Sequence, residues 1–96
     1  MYKGFKNYAT WATALYFDRQ DMDEEIVKIL KSNDLLEGIM QVTIYLQQRG
    51  KQILHAQEKL DIWLYDILED ALNFSIEWSE VAEHIANKEE SNHDQT

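Results

Sequence analysis

The chain has 96 residues, of which 45% are hydrophobic, and a formal net charge of −9 at pH 7. Three Trp, five Tyr and three Phe exclude a disordered chain, because disordered segments are poor in aromatic residues. The absence of cysteine excludes disulfides and thiolate chemistry, and no apolar run approaches the roughly 20 residues that span a bilayer. Residues 1–6 lack the apolar core of a signal peptide, so we expect a cytoplasmic protein without membrane contact.

The scarcity of turn-forming residues predicts the fold class. The chain has no proline and three glycines, whereas β-sandwiches and barrels use both residues at their many turns. We therefore predict an all-α fold, a compact bundle of about four to five helices in a single domain over 1–87, with a flexible polar tail at 88–96. The alternative is an α+β fold with a short β-hairpin around 40–55, since the Val-Thr-Ile-Tyr run at 42–45 prefers strands.

The first helix follows an irregular lead-in at residues 1–9. Asn7 and Thr10 are both candidate starts, because either side chain can accept a hydrogen bond from a free N–H group of a first helical turn. Apolar residues at helical spacing continue to Asp18. The segment is dense in aromatic residues, and we expect Trp11 to lie in the core.

A second helix is predicted to open at Asp21. Glu24 follows it by three residues, which resembles a capping box. The run Ser32-Asn33-Asp34 indicates the end of this helix. Its apolar face consists of Met22, Ile26, Ile29 and Leu30.

The middle of the chain carries the most regular pattern. Twelve positions follow steps of four and three, and ten of them are apolar: Leu35, Ile39, Val42, Leu46, Arg49, Ile53, Gln57, Leu60, Leu64, Ile67, Ala71 and Phe74. This period of about 3.5 indicates helix. Because the two polar positions flank Gly50, we predict helices at 34–49 and 51–74 that fold against each other at 49–51. A single long helix that dimerises as a coiled coil is the rival interpretation.

The net negative charge lies in the last part of the chain. Residues 1–59 contain eight acidic and eight basic side chains, whereas residues 60–96 contain ten acidic ones and a single base, Lys88. A last helix is predicted at about 77–87, where apolar residues again recur at helical spacing. Carboxylates three or four residues apart on a helix repel each other unless a base relieves them. The acidic surface is therefore either a binding feature or a means of keeping the protein soluble.

A helical wheel predicts where these carboxylates lie. Over 58–74, Leu60, Trp63, Leu64, Ile67, Leu68, Ala71 and Leu72 fill one arc, which we expect to face the core. The acidic residues fill the opposite arc, and those of the last helix extend it. The predicted protein-binding site is this acidic stripe: Glu58, Asp61, Asp66, Glu69, Asp70, Glu77, Glu80 and Glu83.

Signatures of catalysis and cofactor binding are absent from the sequence. His84 lies four residues after Glu80, but neither the two-His zinc motif nor the Glu-x-x-His di-iron motif occurs. The serines have no glycine-rich elbow around them, and no glycine-rich loop for phosphate is present. We expect no enzymatic activity, no metal and no cofactor.

Two short motifs resemble a family of small proteins from phages and mobile elements. Asn7-Tyr8-Ala9-Thr10-Trp11 is similar to the Asn-Tyr-Glu-Thr-Trp opening of that family, with Ala9 in place of the usual Glu. Trp78-Ser79-Glu80-Val81-Ala82 is similar to the Trp-x-Glu-Ile-Ala stretch near its end. The family has no established activity, so the resemblance implies a setting, in which small accessory proteins act against host defences.

These observations lead to one expected function and two alternatives. The chain is expected to bind and inhibit a host nucleic-acid enzyme, as an anti-CRISPR or anti-restriction protein, with DNA mimicry as one mechanism. Its partner would be a CRISPR effector or restriction enzyme with a basic nucleic-acid-binding groove. The alternatives are a coiled-coil-like scaffold or adaptor that forms a homodimer and a helix-turn-helix-like regulator. The negative charge argues against direct binding of nucleic acid.

Overall fold

The computed structural model describes residues 1–21 and 23–94, and from 90 to 94 it describes the backbone alone. Across these ranges the chain forms five α-helices and one π-helical turn: α1 Tyr8–Asp18, α2 Glu24–Ser32, α3 Leu35–His55, α4 Ile62–Asp70, the π turn Ala71–Ser75, and α5 Trp78–Asp94. Helix α3 is central, with α2, α4 and α5 against it, and α1 packs on α5. The predicted all-α bundle of four to five helices is confirmed. The hairpin alternative around 40–55 is wrong, because those residues belong to α3 up to His55.

Short polar side chains fix where the first two helices begin. Asn7 caps α1, and its Oδ1 accepts from the backbone N–H of Thr10 at 2.9 Å, so the predicted start at Asn7 is confirmed. Helix α2 is capped by Asp23 rather than Asp21, because Asp23 directly precedes the first turn and accepts from the N–H of Glu25 at 2.8 Å. Met22, predicted on the apolar face of this helix, lies outside the described residues.

The corner between α2 and α3 also uses capping carboxylates. Helix α2 ends at Ser32, as predicted, and Asp34 caps α3 by accepting from the N–H of Glu37 at 2.8 Å. The hydroxyl of Tyr45 on α3 donates to the second carboxylate oxygen of Asp23 at 2.6 Å. This hydrogen bond, together with partial desolvation, raises the pKa of Tyr45 above its usual value. Asp23 therefore holds the start of α2 against the middle of α3.

Helix α3 passes through Gly50 without a break, so the predicted fold-back at 49–51 is wrong. A Cβ atom at Gly50 would lie 2.9 Å from Cη2 of Trp78 and 3.3 Å from Cδ2 of Leu72. The glycine is needed for close approach of the Trp78 ring rather than for a turn. The chain turns instead at 56–61, and the single long helix of the rival interpretation is wrong for the same reason.

The twelve positions of the 3.5-residue pattern do not share one interface. Val42 and Leu46 are fully buried, whereas Leu35, Ile67 and Phe74 are exposed. The turn at 56–61 separates the two halves of the pattern, so the angular position of a residue on α3 does not carry over to α4. The pattern therefore predicts helices correctly, but its residues do not form one continuous interface.

The backbone between the π turn and α5 is satisfied by side chains from elsewhere. The N–H of Ile76 donates to the carbonyl of Ala71 at 3.1 Å, which closes the π turn. The carbonyl of Leu72 accepts instead from Nε1 of Trp78 at 2.8 Å and from Nε2 of Gln47 at 3.3 Å. The carbonyl of Leu72, which is outside the regular helical hydrogen-bond pattern, thus holds the ring of Trp78 in place above Gly50.

The same junction is joined to α1 by a latch made of Asn7 and Thr10. The N–H of Glu77 donates to Oγ1 of the fully buried Thr10 at 3.0 Å, and this hydroxyl donates to Oδ1 of Asn7 at 2.8 Å. Nδ2 of Asn7 donates to the carbonyl of Ser75 at 2.7 Å. The first and last helices are therefore held together by paired polar groups as well as by apolar packing.

Helix α5 supplies half of the buried apolar side chains. The core consists of Ala14, Ile26, Val42, Leu46, Leu54, Trp78, Val81, Ala82, Ile85 and Ala86. The helix continues to Asp94, beyond the end predicted at 87. Residues 95–96 lie outside the described residues, and the flexibility of the tail at 88–96 and the single-domain boundary at 87 stay predictions.

In the aromatic lead-in Tyr2 lies at the surface, whereas Phe5 is half-buried and packs against the core. Tyr2 and Phe5 exchange two backbone hydrogen bonds across Lys3 and Gly4, which both have positive φ. The ring of Tyr2 lies 5.2 Å from that of Trp11, and Nζ of Lys3 lies 4.7 Å from the centre of the Trp11 ring. Trp11 is half-buried, so its expected place in the core is wrong. The lead-in covers one of its faces with an aromatic ring and a cation.

We expect the substitution Thr10→Val to lower the free energy of unfolding by about 1–3 kcal/mol, because it leaves the part-buried N–H of Glu77 without its acceptor. Urea denaturation followed by circular dichroism measures the loss. Thr13→Val is the matched control, since Oγ1 of Thr13 bonds only to the carbonyl of Ala9 in its own helix. Equal stabilities of the two variants would contradict the role of the latch.

Gly50→Ala and Gly38→Ala should have opposite effects on stability. Alanine raises helix propensity by about 1 kcal/mol at either position, but at Gly50 it meets the rigid, hydrogen-bonded Trp78 ring, and overpacking costs about 1–3 kcal/mol. At Gly38 the nearest atom is Cδ2 of Leu30, the movable end of a side chain, at 3.3 Å. Chemical denaturation compares the free energies of unfolding of the two variants. Equal stabilisation by both would contradict the proposed overpacking at Gly50.

Candidate functional site

Helix α4 packs on α3 through two polar residues, and the π turn that follows packs on α3 through an apolar residue of the predicted arc. Tyr65, Glu69 and, in the π turn, Leu72 are half-buried, and their positions on a helical wheel place them on one side. The hydroxyl of Tyr65 lies 2.8 Å from Nδ1 of His55 at the end of α3. Leu72 lies against the space above Gly50. None of the nine residues of α4 is fully buried.

Four residues of the apolar arc predicted to face the core are exposed, whereas Leu60, Ala71 and Leu72 of the same arc are half-buried. Trp63, Leu64, Ile67 and Leu68 have exposed fractions of 70%, 37%, 46% and 39%. Relative to the prediction the helix is turned by about 100°, roughly one residue on a helical wheel. The reason is that the Tyr65–His55 contact and the fit of Leu72 beside Gly50 decide which side faces α3. We call these four residues the α4 strip.

Two predicted site residues border this strip. Asp66 and Asp70 are exposed and form no ion pair within the described residues. They follow Trp63 and Ile67 by three residues each, a spacing that makes side chains neighbours on a helix, with about 5–6 Å between their Cβ atoms. Carboxylates and large apolar groups therefore share one solvent-facing surface.

Glu69 differs from these two carboxylates because it lies on the side of α4 that faces α3. It is half-buried beside Tyr65. Partial desolvation raises the pKa of Tyr65, and the adjacent Glu69 carboxylate raises it further. Glu69 therefore belongs to the contact between α4 and α3 rather than to the open surface.

The remaining predicted residues near α4 lie at its entry. Asp61 is the N-cap of α4, and its Oδ1 accepts from the N–H of Trp63 at 2.8 Å. Glu58 lies in the preceding turn and is exposed. Asp61 thus has a structural role that Glu58 lacks, although both side chains reach solvent.

The predicted residues at the start of α5 lie beside the N-terminal lead-in. Oε2 of Glu77 lies 3.7 Å from Nζ of Lys6, and Glu80 accepts from the backbone N–H of Lys6 at 2.9 Å. Glu83 is exposed. Of the eight predicted residues, five therefore lie along α4 and its entry, two lie on α5, and Glu77 directly precedes α5; Lys6 contacts Glu77 and Glu80.

His84 takes part in a charged contact with α1. Its Nε2 lies 2.9 Å from Oδ2 of Asp18, and Nζ of Lys88 lies 3.4 Å from Oδ1 of the same carboxylate. Glu80, four residues earlier, bonds to the lead-in instead. Among the side chains that the structure describes, no group of three or more His, Cys, Asp or Glu is placed to hold a metal ion.

A second exposed apolar strip lies on α3 and was not predicted. Leu36, Met40 and Ile44 recur every four residues and have exposed fractions of 72%, 55% and 58%. Met40 lies on the same side of α3 as Gln47, seven residues later, which contacts the π turn. The side of α3 that contacts the π turn near Gln47 is therefore exposed to solvent in the first half of the helix. We call these residues the α3 strip.

No protein-family model, curated protein or solved structure matches this chain. The resemblance to a phage and mobile-element family therefore stays a prediction. Several residues of its two motifs have structural roles, because Asn7 and Thr10 form the latch and Trp78 packs over Gly50. Within the described residues, none of the helices combines the length and the apolar composition that crossing a membrane requires.

Single alanine substitutions should distinguish Asp61, which caps α4, from Asp66 and Asp70, which are exposed. Asp61→Ala is expected to lower the free energy of unfolding by about 1 kcal/mol, because it removes the cap of α4. Asp66→Ala and Asp70→Ala should each change it by less than about 0.5 kcal/mol, as surface substitutions do. Urea denaturation monitored by circular dichroism tests this order, and a destabilising Asp66→Ala would show that this carboxylate is part of the fold.

Proposed function

We propose that this chain is a protein-binding module that occupies a basic, nucleic-acid-binding surface of a partner protein. The observation that carries the proposal is the surface of α4, where Asp66 and Asp70 are exposed without ion pairs among the described residues. No Lys or Arg occurs between Leu60 and Asn87 to neutralise them. Glu58 and Glu83 add exposed carboxylates on neighbouring segments.

The physical basis is charge complementarity. Proteins that hold duplex DNA line their grooves with Lys and Arg, because the duplex carries one negative charge per roughly 1.7 Å of its axis. A helix with uncompensated carboxylates is attracted to the same groove, and the attraction accelerates association at low salt. Without such a partner the acidic surface would keep the protein soluble but would add repulsion within the chain.

The class of partner follows from the same electrostatics and from the family resemblance. A host CRISPR effector or restriction enzyme has a basic groove for nucleic acid, and small accessory proteins of phages and mobile elements act on such enzymes. We propose an inhibitory role of this kind, in which the chain competes with DNA or RNA rather than binding it. The proposal places the protein in the host cytoplasm and assigns it no catalytic activity.

A competition assay tests this proposal. A panel of restriction endonucleases and guide-loaded CRISPR effectors is mixed with labelled target DNA, and fluorescence anisotropy reports displacement of the DNA by the chain. We expect displacement from at least one enzyme and a loss of potency with rising salt. The double variant Asp66→Lys, Asp70→Lys should weaken displacement by at least about tenfold, because it reverses the two exposed charges.

The matched control is the double variant Asp21→Lys, Glu24→Lys. It also changes the formal charge from −9 to −5, since two acid-to-lysine changes add four charges, but its residues are exposed near the start of α2. We expect it to displace DNA about as well as the unaltered chain. If no enzyme of the panel loses its DNA, or if both double variants are equally impaired, the proposal is wrong.

A further inference from the structure

Helix α4 has the composition of a helix that is covered on one side, yet its apolar side is open. Four of its hydrophobic residues lie on one arc at helical spacing, the pattern by which a helix packs against a neighbour. Trp63 is 70% exposed and Ile67 46% exposed, while Leu64 and Leu68 are 37% and 39% exposed. Single exposed apolar residues are common, but four adjacent ones within about one and a half turns are typical of an interaction surface.

The charges beside the α4 strip indicate what can cover it. Asp66 and Asp70 line one edge of the strip. A partner that buries Trp63 and Ile67 must bring its own groups close to both carboxylates. Basic side chains there gain attraction, whereas acidic ones are repelled. The occupant therefore combines apolar residues with Lys or Arg.

A second copy of this chain is a poor occupant. In a symmetric dimer through α4, each strip faces its own copy, so the Asp66 and Asp70 carboxylates of the two chains approach each other. Each chain also carries a formal charge of −9. The like charges oppose association at this surface, even though the apolar residues favour it.

We propose that the α4 strip binds a basic amphipathic helix of the partner protein, with Trp63 and Ile67 as its apolar anchors and Asp66 and Asp70 as its ion-pairing edge. The four side chains of the strip lie within about one and a half helical turns, about 8 Å, and an amphipathic helix presents apolar anchors on one face at i, i+3, i+4 and i+7. A large aromatic residue bordered by carboxylates is suited to be the energetic centre of such a contact. The inference rests on the proposed function in one respect, namely that the partner is a protein with a basic surface.

A synthetic peptide tests the inference without knowledge of the natural partner. The probe is a fluorescein-labelled peptide of Leu, Lys and Ala, with Leu at helical spacing and Lys on the flanks. An isomer of the same composition with Leu and Lys in alternation is the control for charge alone. We expect the full chain to bind the helical peptide at least about tenfold more tightly than the isomer by fluorescence anisotropy. Equal binding of the two peptides overturns the inference.

Paired variants locate the binding site. Trp63→Ala with Ile67→Ala should weaken binding of the helical peptide at least about tenfold, while the thermal unfolding midpoint stays unchanged because both side chains are exposed. Asp66→Lys with Asp70→Lys should weaken it as well and reduce its salt dependence. The matched control is Leu36→Ala with Met40→Ala in the α3 strip, which should retain binding. Equal losses in the α3 and α4 variants overturn the assignment of the site.

Two further outcomes separate this inference from the proposed function. Light scattering is expected to show a monomer, and a dimer that Trp63→Ala with Ile67→Ala dissociates would make a second copy the occupant and overturn the inference. If the enzyme panel keeps its DNA while the peptide still requires Trp63 and Ile67, the proposed function fails and the strip assignment stands. If DNA is displaced but the peptide does not bind, the strip assignment alone fails.

Discussion

The junction between the π turn and α5 constrains the rest of the structure. Here the backbone leaves the helical hydrogen-bond pattern, and its freed groups need partners inside a small protein where unpaired polar groups are costly. Three partners come from distant segments, namely the hydroxyl of Thr10, the amide of Asn7 and the side chain of Gln47, and a fourth is the nearby Trp78 ring. Each bond also fixes the position of a helix, so α1, α3 and α5 are placed relative to one another at this point.

The molecule consequently has a closely packed part and an outer part. Among the side chains that the structure describes, every residue of the buried core comes from α1, α2, α3 or α5. Helix α4 lies outside it, held by Tyr65 against His55 and by the π turn that follows. Asp66 and Asp70, which have no ion pair among the described residues, and the exposed Trp63 all occur on this outer helix. A surface that contributes little to the core is free to carry charge and apolar groups that folding alone would not favour.

Much of the fold was predictable because it depends on local chemistry. The cap at Asn7, the helix end at Ser32 and the helical period of the middle segment are properties of neighbouring residues. The errors arise from contacts between residues far apart in sequence. Gly50 resembles a helix end until the Trp78 ring is placed above it, and Thr10 resembles an alternative cap until Glu77, 67 residues later, donates to it. Periodicity shows that α4 is amphipathic but cannot show which side faces α3, since Tyr65 and His55 decide that.

The predicted site was affected in the same way. The charge count correctly identified α4 and its surroundings as acidic, because charge is a property of composition. It could not separate Asp66 and Asp70, which are open, from Asp61, which caps a helix, or from Glu69, which faces α3. The exposure of the α4 strip beside them could not be predicted from the sequence, because the same residues would have faced the core if α4 had been rotated about its axis.

The shallow attachment of α4 has a further consequence for its conformational equilibrium. Because none of its side chains is fully buried, the helix can detach and unfold locally at a smaller free-energy cost than the whole domain. A ligand that requires α4 in its packed position binds only the molecules in which α4 is packed against α3. Its apparent affinity falls in proportion to the fraction of such molecules. Residues that never touch a ligand, Tyr65 and His55 above all, would then tune binding through the population of the attached state.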